Sequence, residues 1–213
     1  VGENGAGKST LMKMLAGSFN DYEGDIFISD KKIDLHSPAI AKANGIEMIY
    51  QELSLALPIT IAENVLVGRL PRAKSRLLDK KKTAEETQRV LERVWLEHLD
   101  PNMAIEEISQ HEAQLVEIAK ALGNQPCILV MDEPTSALSR EEVEMLFRII
   151  GRLKNEGLSI VYISHHLPEV FRIADRVTVL RDGKLIGTKP VGEVTREEIV
   201  QMMVGKSITE FYK

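Results

Sequence analysis

The stretch VGENGAGKST, residues 1–10, constrains this chain more than any other part of it. Gly2, four intervening residues, then Gly7, Lys8 and Ser9 reproduce the phosphate-loop spacing G-x-x-x-x-G-K-[ST]. Glycine at positions 2, 5 and 7 opens backbone conformations closed to residues with a Cβ, so successive N–H groups can turn inward around phosphate oxygens. Lys8 is placed to reach the β and γ phosphates as a point charge, and the Ser9 hydroxyl to sit on Mg²⁺. The run Gly2, Glu3, Asn4, Gly5, Ala6, Gly7, Lys8, Ser9 and Thr10 is therefore the expected cofactor-binding loop. STLMKMLAG continues it as a short helix with Leu11, Met12 and Leu15 on one face and Gly17 as its stop; the dipole at its N-terminus favours an anion. A glycine-rich turn that merely precedes a helix is the competing reading, and the motif alone leaves it open. A phosphate loop hangs from the end of a buried strand, of which only Val1 is present. The expectation is that the sequence starts partway through that strand.

Beyond the loop, the pattern predicts an α/β domain. GDIFISDKKIDL (24–35) sets Ile26, Ile28, Ile33 and Leu35 around a polar turn, a hairpin signature, and GIEMIYQ (45–51) reads as a buried strand ending at Gln51. Residues 53–108 change character: TIAENVLVG and DKKKTAEETQRVLERVWLEHL have helical spacing, with Val90, Leu91, Val94, Trp95 and His98 as one face and Lys80–Lys82 as a solvated start. HEAQLVEIAKALG is a second helix ending at Gly123. From residue 126 strands and helices alternate. PCILVMDEP and LSIVYISHH are apolar runs of strand length, expected to be buried on both faces. Ser139 with Glu142, and Thr195 with Glu198, form capping-box pairs opening two helices. RVTVLRDGKLIGT is a hairpin around Asp182-Gly183. The predicted fold is a mostly parallel sheet core with a hairpin-rich edge, interrupted by a helical insertion at about 53–110.

Composition excludes several classes. A net charge of −5 gives no electrostatic reason to expect nucleic acid. The single cysteine, Cys127, excludes an intramolecular disulfide and reads as a small core residue. No apolar stretch approaches the ~20 residues that span a bilayer, and no signal peptide is visible.

Four further stations follow the loop in order. Asp132 ends the ILVMDE strand, where a carboxylate can hold Mg²⁺ through water, and Glu133 can polarise an attacking water. Gln51 ends its own strand and can touch metal or water. SALS (136–139) follows the acidic pair, and His165, after VYIS, can reach a γ-phosphate oxygen. His166 is expected to point the other way by strand alternation. Taken singly, each of these is an ordinary loop or structural residue; the weight lies in the order.

Together the stations resemble the nucleotide-binding domain of an ABC transporter, across essentially the whole chain. GENGAGKST looks like the Walker A loop, YQE the Q-loop, ILVMDEP the Walker B strand with its catalytic glutamate, SALS the D-loop and ISHH the switch-histidine region. EIAKAL, MDEPTSALS, VYISHHLPEV, ADRVTVLRDG and the closing MMVGK are similar to the first cassette of bacterial importers for ribose, galactose or xylose. The resemblance implies a P-loop NTPase domain lacking its first strand, with a RecA-like core at about 1–52 and 111–213 and a helical subdomain at about 53–110. It implies ATP and Mg²⁺ as cofactors, with Glu133, His165 and Lys8 catalytic and Ser9, Gln51 and Asp132 around the metal. It further implies a second cassette fused in the full-length chain, transmembrane permease subunits, an external sugar-binding protein, and a peripheral place on the cytoplasmic face of the membrane.

One station departs from the pattern. The family's signature, ideally LSGGQ, is here ISQHE, Ile108–Glu112, with Gln110 and His111 in place of the glycines. In the family this motif faces the γ-phosphate held by the opposite cassette. A side chain at 111 crowds that approach, and Glu112 adds repulsion of about 1–4 kcal/mol per phosphate charge at ~4 Å. Ser109 remains able to touch nucleotide. A nucleotide-binding module without turnover, and a soluble ABC protein with no membrane partner, are the two alternatives; intact Glu133 and His165 oppose the first, and a short insertion of mixed charge opposes the second.

Overall fold

The computed structural model describes residues 1–73, 75 and 77–205. Lys206, which closes the MMVGK run, lies outside the described residues. The chain divides into two compact units. One holds Val1–Asn44, Val130–Glu133 and the chain from Val161 on; the other holds Gly45–Leu129 and Pro134–Ile160.

In the first unit, helix α1 (Lys8–Leu15) leads to the hairpin β1 (Ile26–Ile28) and β2 (Lys31–Ile33), which pairs Ile26 with Ile33. Its turn residues Ser29 and Asp30 both take positive φ, 48° and 62°, the geometry that lets a two-residue turn follow the strand twist. Helix α2 (Pro38–Ala43) follows, capped by the Ser37 side chain. Leu11, expected on the packed face of α1, is instead 46% exposed. The later part of this unit is the hairpin β6 (Arg176–Arg181) and β7 (Lys184–Pro190), preceded by α7 (Leu167–Ile173) and followed by α8 (Arg196–Val204). Asp182 and Gly183 form its turn with φ of 51° and 73°, as the Asp-Gly pair predicts. Leu167, Val170, Val177, Val179, Val194 and Ile199 make its buried core, and Val1, Phe171, Ile186 and Met202 pack against them.

The second unit contains β3 (Ile46–Ile49), α3 (Ile61–Val65), α4 (Lys80–Arg93), α5 (Gln110–Leu122) and α6 (Arg140–Asn155). Five residues are too few for a helix to persist alone. Helix α3 survives because Ile61, Ala62 and Val65 are at most 4% exposed and because Thr60 and Glu63 cap each other. The α4 expectation needs correction. The helix stops at Arg93 and Trp95 has φ of 61°, so the buried face is Thr83, Thr87 and Leu91, continued by Val94 beyond the helix, while His98 is exposed. On α5, Leu115, Val116, Ile118 and Ala119 are fully buried, worth about 1.5–3 kcal/mol for each large side chain.

Strands β4 (Ile128–Asp132) and β5 (Ser159–Ile163) each begin in the second unit and end in the first. The sheet order is β3-β4-β5. Ser159 N–H donates to Cys127 O at one end and Glu133 N–H to Ile163 O at the other, so β4 and β5 run parallel. Leu129, Val130 and Met131 are fully buried, as a strand covered on both faces requires, whereas Ile160–Tyr162 of β5, last in the order, are only half-buried. Cys127 is exposed, not a core residue: it lies just before β4, with its Sγ 3.4 Å from the Gly45 carbonyl oxygen.

Candidate functional site

The glycine loop is shaped from outside and closed from inside. A Cβ at Gly2 would stand 2.3 Å from the Leu180 carbonyl oxygen and 3.0 Å from Ala6 Cβ, so the loop accepts only glycine there without rearranging. Val1 N donates to Thr178 O and Leu180 N–H donates to Val1 O, the pair of bonds that marks a parallel bridge onto β6. At the other end of the loop, Gly183 N–H of the hairpin turn donates to Ala6 O at 3.2 Å. Lys8, only 8% exposed, turns back and donates to Gly2 O at 2.8 Å and Glu3 O at 3.0 Å. Glu3, Asn4 and Gly5 lie at the surface between these anchors, Ser9 is half-buried and Thr10 exposed.

Helix α1 begins differently from most of its neighbours. Side chains of Ser37, Thr60, Asp79, Ser109, Ser139 and Thr195 cap α2, α3, α4, α5, α6 and α8. The N-cap of α1 is Gly7, at φ 92°, with no side chain to offer and no acidic residue in the first turn. The amides and the positive dipole end stay available to an anion.

The same unit carries Asp132, Glu133 and His165. Asp132 is 7% exposed at the end of β4. Glu133 has φ of 48°, a left-handed conformation that costs a residue with a Cβ about 1–3 kcal/mol. Its own N–H bond to Ile163 O, at 3.0 Å, holds it there. The strained backbone aims its carboxylate at His165, with Oε1 3.0 Å from Nδ1. His165 is 47% exposed and Glu133 17%, so the pair faces solvent on the histidine side. His166 does not point away: β5 ends at Ile163, alternation stops there, and the two histidine rings lie 4.1 Å apart at a tilt of 39°.

Sequence reasoning missed the cluster that fixes the backbone on either side of His165, at Ser164 and His166. Glu169, in the first turn of α7, accepts from Tyr162 Oη at 2.8 Å and Ser164 Oγ at 2.9 Å, and Ser164 Oγ accepts from His166 N–H at 2.9 Å. The available signal was Tyr162 and Ser164 spaced two apart, followed by an acid near a helix start.

Gln51 and Ser109 belong to the second unit. Strand β3 ends at Ile49, two residues earlier than expected, and Gln51 is exposed in the loop that follows. Ser109 is the N-cap of α5. Its N–H and hydroxyl donate to Glu112 Oε2 at 2.8 and 2.7 Å, and its Oγ accepts from Glu112 N–H at 3.2 Å. His98 Nε2 lies 3.1 Å from the other carboxylate oxygen. Hydrogen bonds from Ser109 hold the Glu112 carboxyl below its ordinary range. The start of α5 is thus occupied by the chain's own carboxylate.

The donor set suits a nucleotide and its ion. The Gly2 cradle has no room for a Cβ, Lys8 is buried against carbonyl oxygens, and the Ser9 hydroxyl and Asp132 carboxylate are hard oxygen donors of the type Mg²⁺ takes. A glycine loop closed on its lysine, opening a helix with no side-chain cap, defines a P-loop nucleotide-binding domain. A family model described as ABC transporter matches residues 1–136. The chain belongs to the ABC transporter family. It is 48% identical, over its whole length, to a putative ribose/galactose/methyl galactoside import ATP-binding protein of Agrobacterium fabrum, and 44% identical to a ribose import ATP-binding protein of Rubrobacter xylanophilus. It spans only 41% and 42% of those two curated relatives. Among solved structures, it resembles an ATP-binding cassette of an ABC transporter, MJ1267, in its ADP conformation, with a TM-score of 0.81 at 26% identity, covering 97% of this chain and 86% of that one. A nucleotide-free ATP-binding cassette matches with a TM-score of 0.77 at 27% identity, covering 100% of this chain and 85% of that one.

Proposed function

We propose that this chain is the first of two ATP-binding cassettes in a sugar-import ATPase, and that its own loop serves a hydrolytic site. The observation that carries the reading is the Glu133–His165 contact of 3.0 Å, in the same compact unit as an intact phosphate loop. Lys8 exchanges its bonds to Gly2 O and Glu3 O for oxygens of the β and γ phosphates, while the loop N–H groups from Gly2 to Thr10 bind the phosphates. Ser9 and Asp132 would hold Mg²⁺, which would supply charge neutralisation at the phosphates. Glu133 takes the proton of the attacking water, and His165, in contact with Glu133 Oε1, senses the γ-phosphate.

The import role draws on the printed names of the relatives, and the two-cassette architecture on the fraction of them that the chain spans. The partners in this reading are the second cassette, a transmembrane permease and an external sugar-binding protein, with the ATPase peripheral to the cytoplasmic face of the membrane. No helix among the described residues is long and apolar enough to cross it. Residues of about 53–110 form the helical subdomain within a RecA-like core. The self-capped start of α5 leaves Ser109 poorly placed to meet a second nucleotide, so the other composite site at most holds one.

The test is Mg²⁺-dependent ATP hydrolysis by the full-length protein assembled with its permease. Lys8→Ala is expected to lower turnover at least 100-fold, the upper range of a phosphate-binding group lost from the transition state. Turnover within threefold of wild type would overturn the reading.

A further inference from the structure

We infer that Glu117 is a positioning residue that makes the Gln51 loop and helix α5 move as one piece. The inference deepens the function proposed above and rests on it. Glu117 lies two turns into α5 and is 5% exposed, a burial that a carboxylate tolerates only when its oxygens are satisfied. Both oxygens go to one residue of the loop after β3. Ser54 N–H donates to Oε2 at 2.9 Å, and the Ser54 hydroxyl donates to Oε1. Lys120, one turn further along α5, closes the other side: its Nζ donates to Ser54 O at 3.0 Å and to Ser54 Oγ at 3.1 Å. Every polar group of Ser54 is therefore spent on two side chains of a single helix.

The clamp sits at a telling place. Gln51 precedes Ser54 by three residues, at most about 10 Å of extended chain. Two residues after Ser54 the loop is pinned again: Ala56 N–H donates to Asn64 Oδ1 at 2.8 Å, and Asn64 Nδ2 donates back to Ala56 O at 3.0 Å. The downstream end of the Gln51 loop is thus fastened at Ser54 to α5 and at Ala56 to Asn64 of α3. Whatever displaces α5, whose first turn carries Ser109, displaces Ser54 by the same amount and strains or releases the Gln51 segment. Charge-assisted bonds from a buried carboxylate are the strong kind, and their geometry is specific, so the coupling is stiff. A serine and a glutamate 63 positions apart give no local sequence signal of it.

The experiment uses the full-length protein with its permease and reads hydrogen exchange beside ATP hydrolysis, with and without MgATP plus orthovanadate. In wild type, trapping with vanadate is expected to change protection in 51–57 and 110–122 together. In Glu117→Ala, exchange in 51–57 rises at least tenfold, α5 stays within threefold of wild type, and kcat falls at least fivefold with KM for ATP within twofold. Glu117→Gln, which keeps one acceptor oxygen, recovers kcat to within threefold of wild type. The inference is overturned if kcat is unchanged while 51–57 loosens, or if exchange quickens throughout α5, since either outcome leaves Glu117 a merely structural part. Should Glu117→Ala fail to fold, Ser54→Gly and Lys120→Met are read by the same criteria. Absent turnover in the wild-type assembly would strike the underlying function, whereas equal turnover in wild type and Glu117→Ala strikes the clamp alone.

Discussion

Glu133 joins a chemical role to a backbone cost, and the two separate by substitution. Glutamine at 133 keeps the side-chain shape and an acceptor for His165 but cannot take a proton. Loss of a general base lowers turnover about 10²–10⁴-fold, or about 3–5 kcal/mol of barrier. Glycine at 133 removes the side chain entirely, yet three contributions nearly cancel in stability. Relief of the left-handed φ of 48° returns about 1–2 kcal/mol. The contact with a half-exposed histidine is worth about 0.2–1 kcal/mol. Added freedom of glycine in the unfolded chain costs about 0.5–1 kcal/mol. Glu133→Gly is therefore expected to unfold within about 1 kcal/mol of wild type while losing as much turnover as Glu133→Gln. Urea unfolding of the full-length protein, beside ATP hydrolysis in the permease complex, measures both quantities. Turnover within threefold of wild type in Glu133→Gln refutes the base. A loss of stability beyond about 3 kcal/mol in Glu133→Gly refutes the strain argument.

Gly2→Ala, which drives a Cβ to 2.3 Å from Leu180 O, is expected to weaken ATP binding at least tenfold in a fluorescent-nucleotide titration, while Gly151→Ala, which meets nothing within 4 Å on α6, leaves it unchanged. Glu112 has its folded pKa lowered by Ser109, so its cap contributes stability above the ordinary carboxylate value of 4.5 and loses it as pH falls through the lower folded value. Urea midpoints from pH 6 to about 3 should accordingly fall less steeply in Ser109→Ala than in wild type, with a loss of about 1 kcal/mol at neutral pH. Restoring glycine at Gln110 and His111 together should change total ATP hydrolysis less than about threefold; a tenfold gain would show that the second site was competent but for these residues.

Legibility in the sequence followed the range of the interactions. The phosphate loop, the Asp182-Gly183 turn and the caps at Ser139 and Thr195 rest on contacts within a few residues, where identity nearly dictates geometry. The same local logic holds at Ser37-Pro38, a cap followed by proline at the first helical position, and at Ser109 with Glu112, a capping box that coincides with the altered signature. The end of α4 was opaque because no glycine or proline marks it; periodicity ran on through Trp95 and His98 after the backbone had turned. The bond between Ser54 and Glu117, 63 positions apart, was not legible, since no single-sequence spacing records it, whereas the Glu169 cluster left only the weak local signal of Tyr162, Ser164 and an acid near a helix start.

The anchoring of the phosphate loop on the β6–β7 hairpin has a consequence for the order of events during synthesis. Val1 finds its backbone partner 177 positions later, at Thr178, and Ala6 is tied to Gly183 of the following turn. The ribosome releases the loop well before the hairpin that anchors it. At ~5–20 residues per second, that interval lasts on the order of 10 s or more. A nascent chain halted short of Arg176 carries every residue of the motif without the backbone partners of Val1 and Ala6, so the anchored loop is assembled late.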